Sequence, residues 1–239
     1  MPNPFFKFKK FVVCHDKCAM KVGTDAVLLG AWADVSRAKN VLDIGTGTGV
    51  IALMAAQRCD AEILAVDIDR DAALQARQNA DESPWGGRMT VACQDVKAMP
   101  AEYDGRFDVI LSNPPYFVEK VKCPETKRNT ARHTDELDFP SLLEAASRLL
   151  SDDGAFSVVL PAGAAADFIS LAVRRKLWLK RQTWVSHRAG MSPKRVLMSF
   201  VKHAVPETEV GRLAIEASPK VYTPEFVELV KDYYLFVTS

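Results

Sequence analysis

One stretch leaves this chain few folds to choose from: Val41-Leu-Asp-Ile-Gly-Thr-Gly-Thr-Gly49. A short apolar run ends in glycines at 45, 47 and 49, and Val50 to Arg58 then carries a helical apolar pattern. Glycine enters backbone conformations that other residues avoid, and it lets the chain approach a ligand with no Cβ in the way. Strand, glycine-rich turn and helix in that order form the opening unit of a sheet with helices packed on it. The rest of the chain extends the pattern. Glu62 to Asp67, Met89 to Cys93, Phe107 to Leu111 and Ala155 to Leu160 read as strands. Ala72 to Ala80, Phe139 to Leu150 and Ala164 to Arg174 read as helices, the second stopped by Asp152, Asp153 and Gly154. Leu177 to Val185 and Arg195 to Val201 read as an antiparallel closing pair around the turn-rich His187 to Pro193. Strand–helix alternation at this spacing means an α/β protein with a mostly parallel sheet and helices on both faces.

Upstream of Val41, Phe6-Lys-Phe8-Lys alternates with a period of two and suggests a short strand. Gly23, Thr24 and Asp25 precede the apolar run Ala26 to Trp32 and suggest a capped helix. With 239 residues, the chain reads as one catalytic domain at 37–239 behind an N-terminal extension at 1–36.

The glycine spacing is Gly-x-Gly-x-Gly with Asp43 two residues upstream, not the Gly-x-Gly-x-x-Gly of dinucleotide-binding turns. That form favours S-adenosylmethionine over NAD, because no pyrophosphate needs cradling. Asp67 ends the second strand, 22 residues after Gly45, where a carboxylate can accept from both ribose hydroxyls. Asp95 follows the third strand, where it can accept from an adenine amino group beside apolar neighbours. An Asp that ends a strand is often only a helix cap. Three successive strand ends carrying matching chemistry point instead to a nucleoside-bearing cofactor.

The fourth strand runs into Ser112-Asn-Pro-Pro-Tyr116. Elsewhere Asn-Pro-Pro would be only a turn, since proline fixes φ and removes donors. At the end of this strand it fits another use. An amino nitrogen on adenine or an amide has its lone pair delocalised, and two acceptors aimed at its hydrogens help localise it. The Asn113 side-chain oxygen and the Pro114 carbonyl can be those acceptors. Pro114 and Pro115 fix the alignment that controls such a barrier, and Tyr116 can stack on a planar target.

Net charge is +1, so overall charge names no partner, but its distribution is uneven. Leu171 to His203 holds nine Lys or Arg and no Asp or Glu, among them Arg174, Arg175, Lys180, Arg181, Arg188, Lys194 and Arg195. A second cluster includes Lys127, Arg128 and Arg132. Such asymmetry is an electrostatic footprint for nucleic acid, although most charge runs are only solvated surface. The five cysteines are scattered, which argues against a disulfide framework. Cys14, His15 and Cys18 resemble half a zinc site, but no second pair follows at metal spacing, so no metal is expected. No apolar run approaches a membrane span, and the N-terminus lacks a secretory core. The expectation is a cytoplasmic, monomeric protein.

The Asn-Pro-Pro-Tyr segment resembles that of class I methyltransferases with an Asn/Asp-Pro-Pro-aromatic motif, which act on adenine amino groups or on glutamine amides. A closer resemblance runs through Lys7-x-Lys-x-Phe11, His15 to Asp25, Leu28 to Trp32, Asn79 to Trp85, Ser112 to Tyr116 and Asp232 to Phe236. Through these residues the chain is similar to the bacterial valine-tRNA adenine-N6 methyltransferase family. The resemblance implies a Rossmann-like class I fold with a seven-stranded sheet and an antiparallel C-terminal hairpin. It implies S-adenosylmethionine as cofactor, tRNA as partner, and N6 of the adenine 3′ of the anticodon, at position 37, as target. Asp43, Gly45, Gly47, Gly49, Asp67, Ile68, Asp95, Val96 and Asn113 would hold the cofactor, and Asn113 to Tyr116 the base. Lys21, Thr24 and Asp25 would close over the site, Lys21 and Thr24 also binding the cofactor. A protein-glutamine methyltransferase would use the same four residues on an amide, but it has no need of the basic stretch. A non-catalytic RNA-binding module would have no need of both motifs.

Overall fold

The computed structural model describes residues 3–16, 21–115 and 137–236. The chain opens with a two-stranded hairpin, β1 (Phe5–Lys7) and β2 (Val12–Cys14), followed by α1 (Thr24–Trp32). The central elements are β3 (Asn40–Ile44), α2 (Val50–Ala56), β4 (Glu62–Asp67), α3 (Arg70–Asp81), β5 (Met89–Cys93) and β6 (Phe107–Ser112). After them come α4 (Phe139–Leu149), β7 (Leu150–Pro161), α5 (Ala165–Arg174), β8 (Trp178–Arg188) and β9 (Arg195–Val201). The last elements are β10 (Glu209–Ser218), β11 (Val221–Tyr222) and α6 (Pro224–Val230).

The main sheet has the order β11-β10-β8-β9-β7-β6-β3-β4-β5. It is therefore nine-stranded, and the expected count of seven needs correction. The seven expected strands are all present, and β9 is inserted antiparallel between β7 and β8 as the closing hairpin requires. The addition is β10, which pairs parallel to β8, and its short antiparallel neighbour β11. β10 was hidden because its apolar face is short: only Leu213 along its ten residues is buried, with Ile215 partly buried beside it. The expected stop at Asp152 to Gly154 also moves. The chain has already left the helix at Leu150, and these residues lie inside β7, where the pairing with β6 shifts register between Phe107 and Val109.

Successive residues of a strand face opposite sides of a sheet, and here both sides are covered. Val41, Ile63, Val91, Val109 and Val159 pack under α1, α2, α3 and α6. Leu42, Ile44, Val66, Ile110 and Val158 pack under α4 and α5. Strands buried on both faces must be apolar throughout, which is why they read as unbroken runs. The N-terminal segment shares the first of these layers through Phe8, Phe11, Val13 and the Val27-Leu-Leu29 run of α1. Gly23 caps α1 without a side-chain bond, and Asp25 sits in its first turn, where the helix dipole favours an anion. The C-terminal segment returns to this layer. The Lys9 amide donates to the Tyr233 carbonyl at 2.8 Å, Phe8 stacks on Tyr234, and the Tyr233 hydroxyl donates to the Met54 carbonyl. Among the described residues, no helix is long and apolar enough to cross a membrane.

Candidate functional site

The carboxyl ends of β3, β4, β5 and β6 lie side by side, since these strands pair in parallel. The turn after β3 holds Gly45, Gly47 and Gly49 at φ of +70°, +55° and +82°. Side chains other than glycine rarely adopt such values. A Cβ added at Gly47 would meet nothing within 4 Å, so the bare backbone faces open space there. At Gly49 the reason for glycine is crowding as well, because a Cβ would lie 3.3 Å from Ala76 of α3.

The turn is held from both sides. The amides of Gly45 and Thr46 donate to the Val66 carbonyl at 2.9 and 3.0 Å. The Gly47 amide donates to Asp67 Oδ2 at 2.8 Å, and the Asp69 amide to Asp67 Oδ1 at 2.9 Å. The cap of α3 is Asp69, which accepts from the Asp71 and Ala72 amides, so Asp67 is not spent as a helix cap. From beneath, Asp43 Oδ2 accepts from the Thr46 hydroxyl at 2.6 Å and from the Ala52 amide at 3.2 Å. Asp43 is fully buried, and its Oδ1 has no hydrogen-bond partner among the described residues. Burial pushes its carboxyl up to about 7; the bonds from Thr46 and Ala52 pull it down, and the charge of Asp67 adds a little to the rise.

A cavity of about 250 Å³ opens at this edge. Gly45, Gly47, Asp67, Ile68, Asp95, Val96, Asn113, Pro114 and Pro115 line it, so one cavity gathers residues spread over the four loops that follow β3, β4, β5 and β6. Asp69, Gln94, Lys97, Ser112 and Leu137 also line it and were not anticipated. Ser112 was legible only as the residue before Asn113. Its hydroxyl donates to the Ile44 carbonyl at 2.9 Å and ties the end of β6 to the glycine turn. Asp95 caps the turn Val96–Ala98: its Oδ1 accepts from the Lys97 amide, and Lys97 Nζ lies 3.5 Å from Oδ2. Asp43 and Gly49 shape the turn without lining the cavity, and Lys21 and Thr24 are not on its wall. Thr24 opens α1, whose Asp25 pairs with Arg195 at 2.7 Å. Tyr116 lies outside the described residues, as do Lys127, Arg128 and Arg132.

The basic stretch is not one face. β9 starts at the cavity edge, with Arg195 opposite Pro161, and ends at the far edge, with Val201 opposite Ala155. β8 runs the other way, with Trp178 opposite Val201 and Val185 opposite Arg195. Arg188, Lys194 and Arg195 are therefore at the cavity edge. Arg174, Arg175, Lys180 and Arg181 lie toward the far one, about 20 Å away over the length of β9 at the usual rise per strand residue. Several are also engaged. Arg175 pairs with Glu144, Arg188 with Glu216 and Arg195 with Asp25. Arg181 lies 3.7 Å from the Trp32 ring centroid and donates to the Trp32 carbonyl at 2.6 Å. Arg174, Lys180 and Lys194 are exposed and make no ion pair among the described residues.

Of the N-terminal cysteine–histidine group, Cys14 and His15 bond within the fold, and Cys18 lies outside the described residues. His15 Nε2 donates to the Asn3 carbonyl at 2.9 Å, and the Cys14 backbone bonds to Asn79. No group of three or more His, Cys, Asp or Glu is placed to hold a metal among the described residues.

Residues 12–169 match the family described as the methyltransferase small domain. The chain is 54% identical to the tRNA1(Val) (adenine(37)-N6)-methyltransferase of Phocaeicola vulgatus, across 98% of this chain and 99% of that protein. It is 44% identical to the protein of the same name from Yersinia enterocolitica, across 96% and 92%. Among solved structures, the fold is similar to that of a predicted O-methyltransferase from Agrobacterium tumefaciens, with a TM-score of 0.69 at 21% identity over 87% of this chain and 96% of that one. It is also similar to a ribosomal protein L11 methylase from Lactobacillus delbrueckii, with a TM-score of 0.53 at 17% identity over 74% and 77%.

Proposed function

The chain belongs to the tRNA1(Val) (adenine(37)-N6)-methyltransferases, within the methyltransferase small-domain family, and from that membership we propose that it methylates N6 of adenine 37 in a valine tRNA, with S-adenosylmethionine as donor. The observation that carries the reading is the meeting of Asn113-Pro114-Pro115 with Gly45, Gly47, Asp67 and Asp95 around one cavity.

The residues fit the cofactor. A carboxylate offers about four lone-pair sites. The Gly47 and Asp69 amides use two of those on Asp67, which leaves capacity for both ribose hydroxyls. The open backbone at Gly45 and Gly47 admits a ligand with no side chain to displace. Ile68, about half exposed, and Val96 offer apolar surface to an adenine ring beside the Asp95 carboxylate. When bound, S-adenosylmethionine supplies an electrophilic methyl group on a positively charged sulfur.

The chain's own task is to present the nucleophile. The Asn113 side-chain oxygen and the Pro114 carbonyl accept from the two hydrogens of the target amino group, which draws its lone pair out of conjugation. Pro114 and Pro115 keep these acceptors in line, and the Ser112 bond to Ile44 fixes them relative to the glycine turn. Tyr116 supplies a stacking face, worth roughly 1–3 kcal/mol per base. An anticodon-loop adenine is largely unpaired, which lowers the cost of extruding it. Residues 1–36 close over the site, and Arg188 and Lys194 at the cavity edge contact tRNA phosphates, with Lys127, Arg128 and Arg132 assigned the same role. The enzyme acts as a monomer in this reading, and a tRNA substrate supports a cytoplasmic one.

The test is incubation with radiolabelled S-adenosylmethionine and either unmodified tRNA or a release factor. Label in tRNA, mapped to adenine 37 of valine tRNA, is the expected result; label in the protein alone would favour glutamine methylation and overturn the assignment.

A further inference from the structure

Asn79 lies on the buried face of α3, 1% exposed, with its whole amide engaged. Its oxygen accepts from the Cys14 amide at 2.9 Å. Its nitrogen donates to the Cys14 carbonyl and to the Thr48 carbonyl, both at 2.8 Å. Two carbonyls and one N–H leave a single way round for the amide, because the flipped group would set its oxygen against an acceptor. Cys14 is the end of β2, paired with Phe5 of β1. Thr48 is the residue between Gly47, on the cavity wall, and Gly49, which caps α2. One side chain therefore joins the N-terminal hairpin to the wall of the cavity.

The two ends of this link are held unequally. On the turn side, Gly49 abuts Ala76, one helical turn before Asn79 on the same face of α3, so turn and helix shift together. On the hairpin side, the other ties run to different parts of the chain. Phe11 meets Trp85 edge-on, and Lys9 bonds to the C-terminal segment. Asn79, on α3, bonds to both the hairpin and the glycine turn. We infer that Asn79 is a positioning residue that couples cofactor occupancy to order in the N-terminal hairpin. With Cys14 seated, Asn79 is oriented to hold the Thr48 carbonyl, and the turn is set for the ligand. Binding couplings are reciprocal: a ligand that fixes the turn steadies the hairpin by the factor the hairpin adds to its affinity. The inference rests on the cofactor reading of the cavity.

Hydrogen exchange on the full chain, with and without saturating S-adenosylhomocysteine, separates the two. In the unmodified protein, ligand should slow exchange in residues 44–50 and also, by about 10-fold, in residues 5–14, a factor within the usual range of such couplings. In Asn79→Ala, ligand affinity should fall by about the same factor. Slowing should persist in 44–50 and disappear from 5–14. Equal slowing of 5–14 in both proteins overturns the role of Asn79. The unmodified protein suffices if the variant fails to fold. Slowing in 44–50 with none in 5–14 overturns the coupling, whereas no slowing in 44–50 overturns the cofactor reading instead.

Discussion

Strands β3 to β6 and strands β8 to β11 are neighbours in one sheet but keep their chemistry in different ways. The first group is parallel and covered on both faces, and its polar residues gather where the strands stop: Gly45 and Gly47, Asp67, Asp95, Asn113. Which of them meet is decided by topology, since parallel strands bring their carboxyl ends to one edge. The second group mixes antiparallel and parallel pairing and carries its charges along its length. Those charges are matched to partners far away in sequence. Arg195 meets Asp25, Arg181 lies on Trp32, and Arg188 meets Glu216. A run of like charge along the chain thus becomes two clusters at opposite edges. Residues at strand ends announce a shared site, whereas residues along a reversing hairpin announce only their own sign.

The comparison makes claims of unequal size. The largest concerns Asn113. Its replacement by Ala should lower kcat about 10²–10³-fold, the usual loss when one charge-stabilising contact to a reacting group is removed. Cofactor affinity should stay nearly constant, because the contact is made to the amino group in the transition state. Steady-state kinetics beside calorimetry would decide it, and an equal loss in both would place Asn113 in the cofactor's half of the site alone. Next comes Asp67→Ala. Losing two hydrogen bonds to a carboxylate, each about 1.5–3 kcal/mol, should weaken S-adenosylmethionine about 100-fold or more. Calorimetry that shows unchanged affinity would place the ribose elsewhere.

A third effect, on stability and not on activity, separates the buried turn from the solvated hairpin by pH. Asp43 titrates near 7 in the fold against an ordinary 3.8. Between those values the folded protein holds a proton that the unfolded chain has lost. Its stability contribution is therefore full below about pH 4, falls as pH rises, and is gone above about 7. The slope is up to about 1.4 kcal/mol per pH unit. Asp43→Asn keeps an acceptor for Thr46 and Ala52 but has no titrating group. Denaturant melts from pH 4 to 8 should show this decline in the unmodified protein relative to the variant; parallel curves would mean that Asp43 stays ionised. The smallest effect lies in the hairpin. Neutralising Lys194 and Arg188 should flatten the salt dependence of tRNA binding by about 0.9 for each phosphate no longer neutralised. Neutralising Arg174 and Lys180, at the far edge, should leave the slope unchanged. Filter binding across a salt series reads both, and equal flattening would break the distinction between the two edges.

The same contrast explains what the sequence could tell. The bounds of β9 are those read from its apolar run, because a buried strand has no other composition open to it, and those of β5, an edge strand, from the alternation of buried Met89 and Val91 with exposed Thr90. β10 escaped notice because its apolar alternation is confined to Leu213 and Ile215 between Glu209 and Glu216, and α6, at seven residues, is too short to display a period despite Thr223 as cap and Pro224 behind it. Within the site, Gly47, Asp67 and Asn113 were legible because each breaks or ends an apolar run. Lys97 and Leu137 reach the cavity through turns whose course no periodicity encodes. The place of Asp43 beneath the turn could not be read either. Its bond to Thr46 depends on how sharply the glycines fold the chain back.

The central claim is that the edge shared by β3 to β6 carries out methylation of adenine 37. Mass spectrometry of nucleosides from purified valine tRNA, in cells lacking the protein and supplied with either the unmodified chain or Asn113→Ala, tests it most directly. The account predicts N6-methyladenosine at position 37 with the first and almost none with the second, at equal protein levels. Full methylation by Asn113→Ala, or none by the unmodified chain, would contradict it.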